Sequence, residues 1–160
     1  MAYVIDGNNV IGQTPGWHRD KPGSRHRLLG EVSAFAASSK ARVTVVFDGA
    51  PDERVPDGAS FRGVKVYYPG RGSDADSVIE RLVAGHRDRR GLVVVTSDRQ
   101  LAAECRGLGA KVLGSGEFRK QMARIASRAA DPGDPGEADA PAAGSVDEWM
   151  RYFGVDGERE

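Results

Sequence analysis

Short apolar runs alternate with amphipathic segments along most of the chain. Each run is rich in Val, Ile or aromatic residues and ends at turn residues, which is typical of buried strands. The runs lie at residues 3–5, 42–48, 64–68, 92–95 and 111–113. Between them, apolar residues recur at helical spacing, and the predicted helices lie at about residues 24–39, 74–87, 98–106 and 115–128. This order predicts an α/β fold, with a mainly parallel sheet of about five strands flanked by helices.

Turn chemistry predicts how these elements are joined. Residues 12–23 are rich in Gly and Pro and predict a loop. Residues 51–63 are polar, so the second and third strands are expected to be joined by a loop without a helix. Gly107 is expected to end the helix at 98–106 as its C-cap. The other strands are therefore predicted to be connected through helices that cover both faces of the sheet.

The last 31 residues differ in composition from the rest of the chain. Residues 130–144 contain mainly Ala, Asp, Gly and Pro, which predicts a linker. Residues 145–148 match a capping box, and a short apolar helix is expected to follow them and to dock on the domain or on a partner. We therefore predict one domain over residues 1–129, a linker over 130–144, and a C-terminal helix with an acidic tail over 145–160.

The formal net charge of zero hides an asymmetry between the body and the C-terminal segment. Residues 131–160 contain nine Asp or Glu and two Arg, a net charge of −7. The first 130 residues hold 21 basic against 14 acidic residues, a net charge of +7. A basic body favours a polyanionic partner, and the acidic tail would screen the basic surface or compete with that partner for it. A solvated tail on an ordinary surface explains the same charges equally well.

Several classes of protein are disfavoured by what the sequence lacks. The single cysteine, Cys105, allows no disulfide within the chain and no zinc-type spacing, and it is expected to lie in the core. No apolar run is long enough to span a bilayer, and no basic region precedes the first apolar run, so neither a membrane protein nor a signal peptide is expected. Neither a GxGxxG nor a Walker motif occurs, so no nucleotide cofactor is expected. These features predict a cytoplasmic protein.

Acidic residues follow several of the predicted strands. Asp6, Asp48 and Asp98 each end a strand, and Asp74 and Asp76 open the helix after the third strand. Because the carboxyl ends of parallel strands meet at one edge of a sheet, these side chains are expected to lie together. Carboxylates this close repel one another unless a cation neutralises them, and Mg²⁺ or Mn²⁺ suits such an oxygen-rich site. A metal held there can activate water and stabilise charge on a phosphoryl group.

Each of these acids also has a structural explanation. Asp6 precedes a glycine, as in many turns, and Asp74 and Asp98 stand where helix N-caps stand. Glu80 lies on the helix face of Asp76 and is either a supporting ligand or a surface acid. Independent structural roles would not need to place every acid at one edge, so the coincidence favours metal binding.

Four segments, in their order and spacing, resemble a known family. They are VIDGNNVIG (4–12), VVFDG (45–49), GSDADSVIERL (72–82) and VVTSDRQL (94–101). Together they resemble the YacP-like branch of the NYN domains, in the PIN-like nuclease superfamily, over roughly residues 3–128, and EWMRYFG (148–154) is similar to the C-terminal helix of that branch. The resemblance implies a Rossmann-like PIN fold, Mg²⁺ or Mn²⁺ as cofactor, and endonucleolytic cleavage of RNA. Because the branch includes ribosome-associated nucleases, the ribosome is expected as a partner.

The resemblance also implies roles for single residues. Asp6, Asp76 and Asp98 correspond to the main acids of the family's metal site, and Asn8 would position them or contact a phosphate. Asp48 is expected to be a supporting acid. The predicted catalytic residues are Asp6, Asp76, Asp98, Asp48 and Asn8. The predicted metal ligands are Asp6, Asp74, Asp76 and Asp98.

Cations beside the acidic residues predict where the RNA backbone lies. Arg71 stands between two glycines just before Asp74, and the expected loop at residues 17–27 combines an aromatic residue with cations, as base-stacking surfaces do. Ser97 is expected to hydrogen-bond a ligand carboxylate or the scissile phosphate. The predicted RNA-binding residues are Trp17, Lys21, Arg25, Arg27, Arg71 and Ser97. The predicted helix at residues 115–128 carries three basic residues, Arg119, Lys120 and Arg124. They are expected to form mainly a solvated face.

The sequence therefore predicts a metal-dependent endoribonuclease that hydrolyses RNA phosphodiester bonds, with mRNA at the ribosome as an expected substrate. The alternative is a non-catalytic RNA- or ribosome-binding module of the same fold, which would gain nothing from acids that face phosphates. A phosphoryl-transfer enzyme for small molecules is a third hypothesis, and the absence of a DxDGT-type pattern weighs against it.

Overall fold

A computed structural model describes residues 1–14 and 16–129, without the side chains of Trp17 and Ala129. The predicted linker and C-terminal helix lie outside these residues. The strands are β1 (Ala2–Asp6), β2 (Arg42–Val46), β3 (Ser60–Phe61), β4 (Val64–Tyr67), β5 (Leu92–Val95) and β6 (Lys111–Leu113). The α-helices are α1 (Gly7–Ile11), α2 (Lys21–Ser39), α3 (Ala75–Ala84), α4 (Arg99–Gly107) and α5 (Ser115–Ala129). None of the helices in the described part is long and apolar enough to cross a membrane.

The strands form one sheet in the order β3-β4-β2-β1-β5-β6. Neighbouring strands are parallel, except for the antiparallel pair of β3 and β4. β1 lies between β2 and β5, with Asp6 beside Val46 and Ile5 beside Val95. The predicted α/β fold with a mainly parallel sheet is confirmed, and the residues that follow β1, β2 and β5 meet at one edge.

Helices cover both faces of the sheet, as the continuous apolar runs predicted. One core lies between the sheet and α1, α2 and α5, and it includes Ile5, Leu28 and Phe118. The other lies between the sheet and α3 and α4, and it includes Val4 and the fully buried Cys105. Successive residues of β1 thus point into different cores, because side chains alternate along a strand.

The structure corrects three predicted connections. The expected loop at residues 12–23 is shorter, since α2 begins at Lys21, where Asp20 Oδ1 accepts a hydrogen bond from the N–H of Gly23 at 3.0 Å. Gly107 is the last residue of α4 and not its C-cap; the positive φ of 105° falls two residues later, at Gly109. The polar loop at 51–63 contains β3, which continues into β4 through a tight turn.

That turn explains why β3 was missed. Its two central residues, Arg62 and Gly63, have φ of 48° and 87°, as type I′ hairpin turns require. Arginine is an uncommon residue at such a position, and a strand of two residues has no detectable alternation. The hairpin therefore left little signal in the sequence.

Candidate functional site

Three carboxylates from three elements share the carboxyl-end edge of the sheet, and we call Asp6, Asp76 and Asp98 the acidic edge. Asp6 ends β1, Asp76 lies in the first turn of α3, and Asp98 is the N-cap of α4 after β5. Burial is the largest cause that raises the pKa of Asp6 and of Asp76; the charges of Asp76 and Asp98 also raise the pKa of Asp6, and the charge of Asp98 also raises that of Asp76. The structure therefore brings the three carboxylates into one electrostatic environment.

Asp6 is the most perturbed of these acids. Burial raises its pKa, its side-chain hydrogen bond from Thr96 lowers it, and the charge of Asp76 raises it again, with a net value of about 6. Thr96 Oγ1 donates to Asp6 Oδ2 at 2.9 Å and accepts from the N–H of Asp98 at 3.1 Å. Thr96 is buried and thus links two members of the acidic edge. Sequence reasoning missed it, although a polar residue at the end of an apolar strand was a usable signal.

Asp98 is oriented by its own helix. Its Oδ1 accepts hydrogen bonds from the N–H groups of Gln100 at 2.9 Å and Leu101 at 3.1 Å. The capping role that was considered for Asp98 is therefore real. Because these bonds use only one oxygen, capping leaves Oδ2 available for a further partner.

A polar network centred on Asn9 joins α1, the segment after β5 and the start of α5. Asn9 Oδ1 accepts from the N–H of Ser97 at 2.9 Å and from the hydroxyl of Ser115. The N–H of Ser115 donates to Ser97 Oγ at 2.9 Å. Asn9 and Ser115 were not singled out from the sequence, because their partners are far away along the chain. In this structure the Ser97 hydroxyl is engaged with α5.

On the other side of Asp6, a short loop carries Asp48. The N–H of Asp48 donates to Asn8 Oδ1 at 2.7 Å, and the exposed carboxylate adds to the charges that raise the pKa of Asp76. The turn from β1 into α1 packs closely on the start of this loop. A Cβ at Gly7 would lie 2.6 Å from the ring of Phe47, so only glycine fits there without displacing the ring.

The start of α3 adds further carboxylates. Asp74 is exposed and caps α3, where a hydrogen bond from the N–H of Ser77 at 2.9 Å lowers its pKa. Burial is the largest cause that raises the pKa of Asp76, ahead of the charges of Asp98 and Asp74. One turn later, the side chain of Glu80 shares a hydrogen bond with that of Glu104, which raises the pKa of Glu80. Glu104, on α4, was not anticipated from the sequence.

The predicted RNA-binding cations do not share one surface environment. Lys21 and Arg25 lie on α2, not in a loop, and they line a cleft of about 620 Å³ together with Asn8 and Asp48. Arg27 Nη2 donates to Ser24 Oγ at 3.2 Å. Arg71 lies exposed in the turn after β4.

On α5, one prediction of a solvated residue is wrong. Arg119 is half-buried, and its Nη1 lies 3.1 Å from Glu31 Oε1, which ties α5 to α2. Helical spacing does not reveal this, because Glu31 lies on another helix. Lys120 and Arg124 are exposed, as expected.

The donors at the acidic edge are carboxylate oxygens, which suit Mg²⁺ or Mn²⁺. Within residues 1–14 and 16–129, no three His, Cys, Asp or Glu side chains are grouped closely enough to surround an ion by themselves. Mg²⁺ usually keeps several water ligands and binds through one or two carboxylates. The donor set therefore fits an ion that retains part of its water, for which Asp6, Asp76 and Asp98 are the available carboxylates.

Comparisons with known proteins agree with this fold. The family model for the YacP-like NYN domain matches residues 3–140 of this chain. The solved structure of Rae1 (YacP) from Bacillus subtilis is similar, with 23% sequence identity, a TM-score of 0.70, and 94% of this chain and 95% of that chain covered. A mutant form of Rae1 (YacP) has 21% identity and a TM-score of 0.72, with 98% of each chain covered. No curated protein matches the chain.

At these identities the structural likeness shows a shared fold, whereas the family model covers most of the sequence. Its match includes β1, α3 and β5 with the residues that follow them, and so spans the whole acidic edge. The chain therefore belongs to the YacP-like NYN domain family, whose fold is that of the PIN-like nucleases.

Proposed function

We propose that this chain is a metal-dependent endoribonuclease that hydrolyses RNA phosphodiester bonds. The acidic edge supports this proposal more than any other feature. Asp6, Asp76 and Asp98 come from separate elements, yet burial and mutual repulsion make Asp6 hard to ionise. This arrangement lowers the stability of the folded protein at neutral pH. A divalent cation would offset that cost because it neutralises the carboxylates.

Asp6, Asp76 and Asp98 are the residues proposed to hold Mg²⁺ or Mn²⁺, with Asp74 as a further ligand. When bound, such an ion stabilises negative charge on the phosphoryl group and lowers the pKa of water. Because the pKa of Asp6 is about 6, its carboxylate is mostly ionised at neutral pH even without the ion. The Thr96 hydroxyl holds Asp6 Oδ2 in place, so this acid is already oriented.

The proposed substrate path runs over the cleft beside the acidic edge. Asn8 and Asp48 line this cleft next to Asp6, and Lys21 stands exposed at its rim. A lysine ammonium there is suited to contact a backbone phosphate. Arg71 lies exposed in the turn before α3, the helix whose first turn carries Asp76. Cations near the carboxylates offset their repulsion of the phosphodiester.

A non-catalytic RNA-binding module would keep the cations, but it has no use for the buried acid at the centre. The ribosome enters the proposal as the place where mRNA is presented, and this part rests on the family resemblance alone. The nuclease and the binding module differ in one measurable property, which is turnover that depends on a metal.

The first experiment compares cleavage of a mixed single-stranded RNA pool by the wild-type chain and by Asp76→Asn, in Mg²⁺, in Mn²⁺ and in EDTA. Asp88→Asn is the matched control. Asp88 accepts a hydrogen bond from the N–H of Gly91 just before β5, at the opposite edge of the sheet, and asparagine keeps such a cap.

The proposal expects metal-dependent cleavage by the wild type and by Asp88→Asn, with loss of cleavage in EDTA and in Asp76→Asn. Cleavage that survives both EDTA and Asp76→Asn would mean that another site or a contaminant cuts the RNA. If none of the proteins cuts free RNA, the same comparison is made on translating ribosomes. Binding without cleavage there would favour the binding module.

A further inference from the structure

Arg25 is a cation near the acidic edge whose guanidinium bonds to the backbone of the loop that carries Asp48. Its Nη1 donates to the carbonyl oxygen of Ala50 at 2.9 Å, and its Nη2 donates to the carbonyl oxygen of Asp48. The same guanidinium lies over two aromatic rings, 5.3 Å from the centroid of Phe47 and 5.4 Å from that of Tyr68. One side chain of α2 thus binds the loop that carries Asp48 and also packs on the sheet beneath it.

The backbone of this loop is shaped for that contact. Gly49, between the two carbonyls, has φ of 85°, a conformation that L-residues rarely adopt. A Cβ at Gly49 would lie 3.3 Å from Arg25 Nη2, so glycine also leaves room for the guanidinium. With this conformation, the carbonyl groups of Asp48 and Ala50 both face Arg25.

Only the guanidinium of arginine combines the two contacts. Its planar fork donates to two acceptors while its face stacks on aromatic rings, whereas the ammonium of lysine has no planar face. His26, the next residue of α2, lies 3.1 Å from Asp52 and also attaches α2 to this connection. Arg25, however, is the residue that bonds both sides of Gly49.

We propose that Arg25 is a positioning residue, which holds the loop Asp48–Ala50 so that the Asp48 carboxylate stays beside the acidic edge. The inference rests on the proposed nuclease function and deepens it. It assigns Arg25 a role different from direct RNA binding. Asn8 holds the N–H of Asp48 from α1, and Arg25 holds the carbonyl from α2, so the residue is fixed through its backbone on both sides.

The test compares Arg25→Lys with the wild type in kcat and KM for RNA cleavage. Arg25→Lys keeps the positive charge at the cleft but loses the two-acceptor, stacked geometry. We expect kcat to fall about 10- to 100-fold, because small displacements at a reacting centre have effects of this size. KM is expected to stay close to the wild-type value. Arg54→Lys is the control, because Arg54 is an exposed arginine of the same connection whose guanidinium lies near Asp52.

A double-mutant cycle with Asp48→Asn tests whether Arg25 acts through Asp48. In the Asp48→Asn background, Arg25→Lys is expected to have little further effect on kcat. An equal loss of kcat in both backgrounds would overturn the proposal. So would an unchanged kcat with a raised KM in Arg25→Lys, since that result assigns Arg25 to RNA contact.

Amide hydrogen exchange separates this inference from the proposed function. Exchange within residues 47–50 is expected to speed up in Arg25→Lys and to match the wild type in Arg54→Lys. If the wild type cuts no RNA at all, the nuclease proposal fails while the exchange result still reports whether Arg25 holds the loop. Unchanged exchange in Arg25→Lys would overturn the positioning role even in an active nuclease.

Discussion

Asp98 and Asp48 follow the two strands that flank β1, yet different parts of the chain hold them. Asp98 bonds to backbone groups two and three residues ahead and to a hydroxyl two residues behind. Asp48 is held by Asn8 and Arg25, which lie 40 and 23 positions away in the sequence. One side of the acidic edge is therefore built by local structure, and the other by the packing of α1 and α2.

Because of this difference, substitutions are expected to affect the Asp98 side and the Asp48 side of the site differently. A helix cap forms whenever its helix forms, so Asp98 is oriented as soon as α4 is in place. Asp48 is oriented only when α2 is docked on the sheet. We therefore expect changes in α2 to affect the Asp48 side of the site and to leave the Asp98 side intact.

Asp98→Asn is expected to have the largest effect, a loss of cleavage of at least about 100-fold, because it removes a proposed metal ligand. The free energy of unfolding should change little, since asparagine and aspartate cap helices about equally well. Asp98→Ala should lose the same activity and also about 1 kcal/mol of stability. Cleavage rates and urea unfolding check both variants. A well-folded Asp98→Asn protein that cleaves RNA at the wild-type rate would contradict the role of Asp98 as a metal ligand.

Asp6, between the two sides, makes stability depend on pH. Its pKa in the folded protein is about 6, above the ordinary value of 3.8, so the folded state binds this proton more tightly than the unfolded state. The stability that Asp6 contributes is fully present below pH 3.8 and is lost as the pH rises through about 6. Asp6→Asn should therefore raise the free energy of unfolding at neutral pH, by up to about 3 kcal/mol, while it abolishes cleavage.

Urea unfolding in EDTA at about pH 5 and about pH 7.5 measures this dependence. Asp88→Asn serves as the control, because Asp88 lies at the other edge of the sheet. Added Mg²⁺ or Mn²⁺ should stabilise the wild type and not Asp6→Asn, since a ligand that binds only the folded state raises its stability. Equal stability of the wild type and Asp6→Asn at both pH values would show that burial and the neighbouring charges do not destabilise the ionised Asp6 carboxylate.

Thr96→Val tests the bond that joins Asp6 to the Asp98 side. Valine has nearly the same shape, but it leaves Asp6 Oδ2 and the N–H of Asp98 without their shared partner, at a cost of about 2 kcal/mol. Because the Thr96 hydroxyl lowers the pKa of Asp6, its loss should raise that pKa further. The acidic limb of the rate–pH profile should then move to higher pH. A profile that does not move would mean that Asp6 ionisation does not limit the rate.

The smallest expected effects compare Asn9 with Asn8. Asn9→Ala should cost about 1 kcal/mol of stability, because its oxygen accepts from both Ser97 and Ser115. Asn8→Ala should cost less, since its bond to Asp48 is exposed, but it should speed up amide exchange at residues 47–50. Thermal unfolding and hydrogen exchange check the pair. If amide exchange at residues 47–50 became faster in Asn9→Ala but not in Asn8→Ala, Asn9 and not Asn8 would be the residue that holds this loop.

Much of the fold and part of the site were predictable because they depend on neighbouring residues. The Val-rich runs predicted buried parallel strands, and acids directly after three of them had to meet at one edge of the sheet. The caps formed by Asp74 and Asp98 were also readable, since a cap and its helix are adjacent in sequence. Asp20 was equally readable as a cap, and overlooking it misplaced the start of α2.

The sequence by itself determined the five longer strands, the four longer helices and the acids at the strand ends, because periodicity and capping act over a few residues. Only the tertiary structure decided which polar side chains support those acids. Thr96 reaches Asp6 across 90 positions, and Ser115 reaches Asn9 across 106. Arg25, which the sequence presents as one more cation, turns inward because α2 packs beside the loop of Asp48. Such partners are selected by packing in three dimensions, and no local pattern records them.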